Sequence, residues 1–250
     1  MMTWEDCATA VRVGVTALFV SIGSVLEHAR RCVQWYTGSP ELLSAFPPYA
    51  AWVAALHAKD GLVGSGVATL HSVNVRDVFF FGARPGLARI NAALLDTRDE
   101  PLPGAVFLRG DSAAVLILVP RDGVEHVVLV RQPRVPVGKM LLEIPAGMMD
   151  ANHNFCNVAL RELLEETGIR ATPEQLRPLR RVYASPGGSD EAIQYYTLKL
   201  STFSPPPYPL GVREEGEHIE VVTLPLTQAY ESVTDGKFWT AVGLRTAGSE

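Results

Sequence analysis

Cysteine is scarce in these 250 residues: only Cys7, Cys32 and Cys156, an odd number with no paired spacing. That excludes a disulfide framework and a Cys-x-x-Cys zinc site, and it fits a reducing compartment, cytoplasmic or an organellar matrix, rather than secretion. Basic charge is also short, with 22 Lys and Arg against 27 Asp and Glu and a net charge of -5. A nucleic-acid duplex wants a basic face, so no such partner is expected. Long apolar runs are missing too. Val13 to Leu26 is uncharged, but its 14 residues fall short of the roughly 20 that cross a bilayer, so no membrane partner is expected. There is no Gly-x-Gly-x-x-Gly. What remains is an ordinary globular composition, 47% apolar and 20% charged, which excludes a disordered chain and suits one large domain or two small ones.

The first 32 residues carry one helical stripe: Val11, Val15, Leu18, Ile22, Val25, Leu26 and Ala29. The period predicts a packed amphipathic helix. A leader is the alternative, although Glu5 and Asp6 stand where a secretory signal carries basic residues. Residues 39–50, with Ser-Pro and Pro-Pro, read as a loop. Trp52 to His57 reads as a short helix, Thr69–Val75 and Val78–Gly82 as β-rich runs, and 83–104 as mixed chain broken by Arg-Pro-Gly and Leu-Pro-Gly. The expected division is therefore an extension over 1–32, a β-rich unit over 33–104 and a second domain over 105–250.

The second domain is clearer. Ala113–Val119 and His126–Arg131 are apolar strands around an Arg-Asp-Gly turn, and Leu141–Pro145 is a short strand running into Ala146-Gly147. Phe155–Thr167 is a helix, with Gly168 where a C-terminal glycine belongs. Arg180–Ala184, Ala192–Leu200 and Glu217–Leu224 follow as strands, then Thr227–Val233 and Phe238–Leu244 as helices. Mixed strands with few interleaved helices argue an α+β fold or an α/β/α sandwich, not a parallel dinucleotide-binding sheet.

Within the predicted helix, Glu162, Glu165 and Glu166 stand at i, i+3 and i+4, so all three carboxylates share a face. Like charges at that spacing cost about 0.2–0.5 kcal/mol per pair. One explanation is a bound cation, and an all-oxygen set suits Mg²⁺ or Mn²⁺ rather than zinc. The other is a solvated acidic face partly neutralised by Arg161.

A pattern links the row to the strand before it. Gly147, Arg161, Glu162, Leu163, Glu165, Glu166, Gly168 and Ile169 stand at the spacing of the Nudix box, and only His153 departs, where the box has its first glutamate. The chain is identified by this resemblance as a member of the Nudix family. The resemblance implies a Nudix fold with a mixed sheet, here preceded by a small N-terminal α+β domain. It further implies that Glu162, Glu165, Glu166 and the carbonyl of Ala146 bind Mg²⁺ or Mn²⁺, that Arg161 orients the glutamates, and that the reaction is hydrolysis of a nucleoside diphosphate linked to another group. His153 falls at a position that generally orients rather than ligates.

Three further segments resemble the nucleotide-sugar branch, closest to plant-type ADP-sugar diphosphatases. They are Arg131-Gln-Pro-Arg134 through Lys139 into Leu142-Glu-Ile-Pro-Ala-Gly, Ser185-Pro-Gly-Gly-Ser-Asp-Glu191, and Glu214-Glu-Gly-Glu217-His-Ile-Glu-Val. The implied substrate is ADP-ribose or ADP-glucose, cut to AMP and a sugar phosphate. A UDP-sugar diphosphatase and a catalytically weak Nudix-fold binding protein are the alternatives. Arg134 is a candidate diphosphate clamp, since guanidinium binds phosphate bidentately; Arg131 and Lys139 are weaker candidates. Glu215 and Glu217 lie in a Gly-containing loop that suits a closing lid, one as base and one as metal ligand, unassigned. For Glu191, site support and loop solvation are equally open. Relatives in this branch are homodimers, so a dimer through residues 1–104 is expected. Phe79, Phe80 and Phe81 in a row put rings on both faces of a strand, and one face then needs a second cover.

Overall fold

The computed structural model describes residues 43, 46–81, 84–149, 154–203 and 219–248. The predicted helix at 11–29, His153, Glu215 and Glu217 lie outside them. The chain divides into two compact units, Met1–Leu108 and Arg109–Glu250.

In the first unit, helix α1 (Pro47–His57) is followed by a long antiparallel hairpin, β1 (Ala68–Phe81) and β2 (Arg84–Asp96). Two short strands, β3 (Pro101–Leu102) and β4 (Ala105–Leu108), pair with β2. Two expectations fail here. Pro47-Pro48 opens a helix instead of lying in a loop, because a proline at the first helical position gives up an N–H that has no partner there anyway. The segment from 84 is continuous strand through Pro85-Gly86, with a register shift at Phe79/Phe80 that absorbs the proline. Leu43, Phe46, Val75, Val78, Ala88, Ile90 and Leu108 form the core, with Tyr49, Trp52 and Phe80 against it. Ser72, Asn74 and Arg76 alternate outward on β1.

The second unit is an α/β/α sandwich. Its strands are β5 (Ser112–Arg121), β6 (Val124–Arg134), β7 (Lys139–Glu143), β8 (Ala146–Met148), β9 (Leu176–Tyr183), β10 (Ala192–Lys199) and β11 (Glu220–Pro225). Among its described residues the sheet runs β11-β6-β5-β10-β9, with β7 on β6 and β8 on β5. The sheet is mixed: β10 is parallel to β5 and antiparallel to β9. Asp122 and Gly123, both at positive φ, make the tight β5–β6 turn.

β5 is apolar at every position from Ala113 to Val119 because both of its faces are covered. Ala113, Val115, Ile117 and Val119 meet helix α2 (Phe155–Thr167) through Val158, Ala159 and Leu163. Ala114, Leu116 and Leu118 meet α3 (Leu226–Ser232) and α4 (Gly236–Ala247) through Ala229, Phe238 and Ala241. Burying one such side chain is worth about 1.5–3 kcal/mol, and a slip of one residue, which exchanges two apolar sets of different sizes, is opposed by packing shape rather than by lost burial.

Candidate active site

Helix α2 is set by its ends. The Asn154 side chain accepts the Asn157 N–H at 3.1 Å, and Gly168 at φ 73° donates its N–H to the carbonyls of Leu163 and Leu164. A left-handed residue there would strain most side chains, so glycine fits. With these ends fixed and Val158, Ala159 and Leu163 buried, the glutamate row faces β8.

Glu162 and Glu166 both turn back to that strand. The Glu166 carboxylate, on a residue only 7% exposed, accepts the N–H of Ala146 at 3.2 Å. Glu162 lies against Gly147 so closely that a methyl group on this residue would overlap its Oε1 and Cδ. The glycine is thus a close-approach site for a carboxylate. Arg161 threads between the acids: Nη2 donates to Glu162 Oε1 at 2.9 Å and to the Met148 carbonyl at 3.4 Å, and Nε pairs with Glu165 Oε2 at 3.6 Å. Arg161 offsets the repulsion within the row. Among the described residues no three His, Cys, Asp or Glu side chains close into a finished shell. The donor set nevertheless fits a hard divalent cation. It is all oxygen, two of its carboxylates meet the backbone of one short strand, and Gly147 leaves no side chain between them.

The other candidates fall in different places. Arg134, at the end of β6, forks onto Glu143 with Nε to Oε1 at 2.6 Å and Nη2 to Oε2 at 2.7 Å. Arg131 lies directly across the ladder from Glu220 and pairs with it at 3.5 Å, both exposed; such a pair contributes little. Lys139 stands opposite Arg134 at the start of β7. Glu191 accepts the Ser112 hydroxyl at 3.0 Å and pairs with Arg109 at 3.5 Å. Beside it Asp190 accepts the N–H groups of Arg109 and Gly110 at 2.8 and 3.0 Å, and burial pushes its carboxyl above the usual range. The pair Asp190 and Glu191 ties the Ser185–Glu191 turn to the residues leading into β5.

Sequence reasoning passed over Glu143, Lys237 and Asp235. Burial by itself pushes the Glu143 carboxyl up, but the Arg134 hydrogen bonds and the Lys237 charge outweigh it and hold the carboxyl below its ordinary value. A signal was present: an acid between Leu142 and Ile144, inside an apolar strand, breaks the binary pattern.

A layered sheet with a glutamate helix docked on a glycine-containing strand end defines a Nudix-type domain, and comparison with known proteins agrees. The model of the NUDIX domain matches residues 109–242. Nudix hydrolase 14, chloroplastic, of Arabidopsis thaliana is 34% identical over 209 residues, 77% of this chain and 68% of that one. A GDP-mannose pyrophosphatase of Yersinia enterocolitica is 34% identical over 138 residues, 53% of this chain and 69% of that one. A crystal structure of an ADP compounds hydrolase shares the fold at TM-score 0.55 and 18% identity, over 72% of this chain and 92% of that one. The chain belongs to the Nudix hydrolase family. Among the described residues no helix is long and apolar enough to cross a membrane.

Proposed function

We propose that the protein hydrolyses the diphosphate of a nucleotide sugar, ADP-ribose or ADP-glucose, to AMP and a sugar phosphate with Mg²⁺ or Mn²⁺. The observation that supports this most is the return of Glu162 and Glu166 from α2 to Gly147 and Ala146 of β8. In this reading Glu162, Glu165, Glu166 and the Ala146 carbonyl would hold the cation, which would supply Lewis-acid chemistry to the diphosphate and to the attacking water. Arg161 keeps Glu162 and Glu165 from turning outward. Arg134 offers its guanidinium to the phosphates, with Arg131 and Glu191 in outlying supporting roles. Glu215 and Glu217 supply the acidic loop and, with Glu166, the carboxylates that take up a proton. One P–O bond of the anhydride breaks, the oxygen of water forms the new P–O bond, and its proton passes to a carboxylate. A second base is favoured by a specific finding, since relatives named GDP-mannose pyrophosphatases are 34% and 33% identical over 138 residues of this chain; UDP-sugars are the further alternative.

The test is incubation with millimolar Mg²⁺ and a panel of ADP-ribose, ADP-glucose, UDP-glucose, GDP-mannose and dinucleoside polyphosphates, with products separated by chromatography. AMP plus sugar phosphate is the expected outcome, lost in EDTA and regained with Mg²⁺ or Mn²⁺. Failure to cleave any of them, or cleavage indifferent to EDTA, sinks the reading; preference for another base reassigns the substrate.

The same reading carries a two-fold homodimer formed largely by residues 1–104. The support for it is the resemblance to the nucleotide-sugar branch together with the aromatic run Phe79-Phe80-Phe81, which puts rings on both faces of a strand. Light scattering is expected to give twice the mass of one chain for the full-length protein and a single mass after removal of residues 1–104. A monomeric full-length protein refutes the dimer, and a truncation that stays dimeric refutes its location.

A further inference from the structure

Glu143 has no part in the scheme above, yet its side chain is 2% exposed and it lies three residues ahead of Ala146. Two cations reach it from different elements. Arg134 grips it with Nε and Nη2 from the end of β6. Lys237, in the first turn of α4, donates Nζ to Oε2 at 2.8 Å and also to Asp235 at 3.1 Å. Asp235 in turn caps α4 by accepting the Phe238 N–H.

A two-point fork fixes the plane of a guanidinium as well as its position. This one uses Nε and Nη2 and leaves Nη1 without a hydrogen-bond partner among the described residues, on a side chain 41% exposed. Arg134 also feels the charge of Glu166, so the held guanidinium stands within electrostatic reach of the carboxylate that meets Ala146. Stability alone is a poor reason for the arrangement. Replacing a buried ion pair by apolar side chains is often neutral or stabilising, and the neighbours Leu142 and Ile144 are already apolar.

We propose that Glu143 is a positioning residue of the hydrolysis: anchored by Lys237, it holds the Arg134 fork so that Nη1 is presented to the diphosphate of the substrate. The proposal rests on the diphosphatase reading and extends it to a strand residue and to the first turn of α4. Its signature is dependence. Glu143 matters only while Arg134 is there to be aimed, whereas a residue that merely stabilises the domain adds its effect to that of Arg134.

A double-mutant cycle on the full-length protein tests this, using Mg²⁺ and whichever diphosphate of the panel is cleaved fastest. Glu143→Gln is expected to lower kcat/KM by about tenfold or more in the wild type, but by less than about twofold in an Arg134→Ala background. Lys237→Met is expected to show the same pattern at smaller amplitude. Thermal unfolding of each variant separates lost protein from lost alignment, and if Glu143→Gln does not fold, Glu143→Asp and Lys237→Met carry the cycle. Equal losses in both backgrounds of an active enzyme overturn this inference alone. A wild type inert on the whole panel overturns the diphosphatase reading and this inference with it.

Discussion

Glu166→Gln is expected to reduce turnover by thousands of fold while leaving the fold intact. The residue is almost buried, and its carboxylate both accepts the Ala146 N–H and belongs to the proposed cation site. Glutamine has the same shape and retains a carbonyl oxygen for that N–H, so the docking of α2 on β8 survives. What disappears is the negative charge. Loss of a charged ligand at a metal-assisted reaction is worth several kcal/mol, and each ~1.4 kcal/mol is tenfold in rate. His153→Ala is the matched comparison. It stands where the box carries an orienting residue, and about tenfold or less is expected. Steady-state kinetics on both variants, with thermal unfolding as the control, decides the matter. Wild-type turnover in Glu166→Gln, or a larger loss in His153→Ala, removes the site assignment.

The second large effect concerns a residue with no side chain. The three atoms nearest to a methyl group at Gly147 all belong to the flexible side chain of Glu162: Oε1, Cδ and Cγ. The carboxylate therefore gives way and the sheet does not. Gly147→Ala is expected to lower turnover by about a hundredfold, or ~2.7 kcal/mol, while unfolding shifts by only a few degrees, about 1 kcal/mol or less for a domain of this size. Divalent metal should also raise the unfolding temperature of the variant less than that of the wild type, since binding to the native state stabilises by mass action. A collapse of stability with normal specific activity in the surviving protein points to a packing role for Gly147 and counts against its part in the site.

These two predictions draw on different kinds of information. The row Glu162, Glu165, Glu166 was legible in the sequence because a helix is a local object: its period and its end signals all lie within 154–168. Gly168, read from the sequence as the C-terminal glycine, closes that helix through contacts four and five residues away, and Asn154 caps the other end through Asn157. The strand pattern of β5 was legible for a similar reason. An unbroken apolar run bounded by Asp111 and Pro120 has to be covered on both faces, and the layers on either side of it follow.

Where contacts are distant in sequence, legibility ended. Nothing near Glu143 announces that Lys237, 94 residues later, will meet it, or that Arg134 will turn onto it from the neighbouring strand. Arg134 and Arg131 look alike as basic residues beside an apolar strand. Only the register, which sets Arg131 opposite Glu220 and brings Arg134 to the strand end beside β7, separates an exposed surface pair from a held guanidinium. The proline-bearing segments went astray in the same way. Whether Pro47 ends or begins a helix, and whether β2 runs on through Pro85, depends on which backbone groups have partners, and strand partners are supplied by the tertiary fold. The sequence by itself determined the family, the glutamate helix and its two ends. The tertiary structure alone decided which cations of other elements Glu143 and Glu220 meet, because pairing between separate elements is fixed by how they pack and not by their order along the chain.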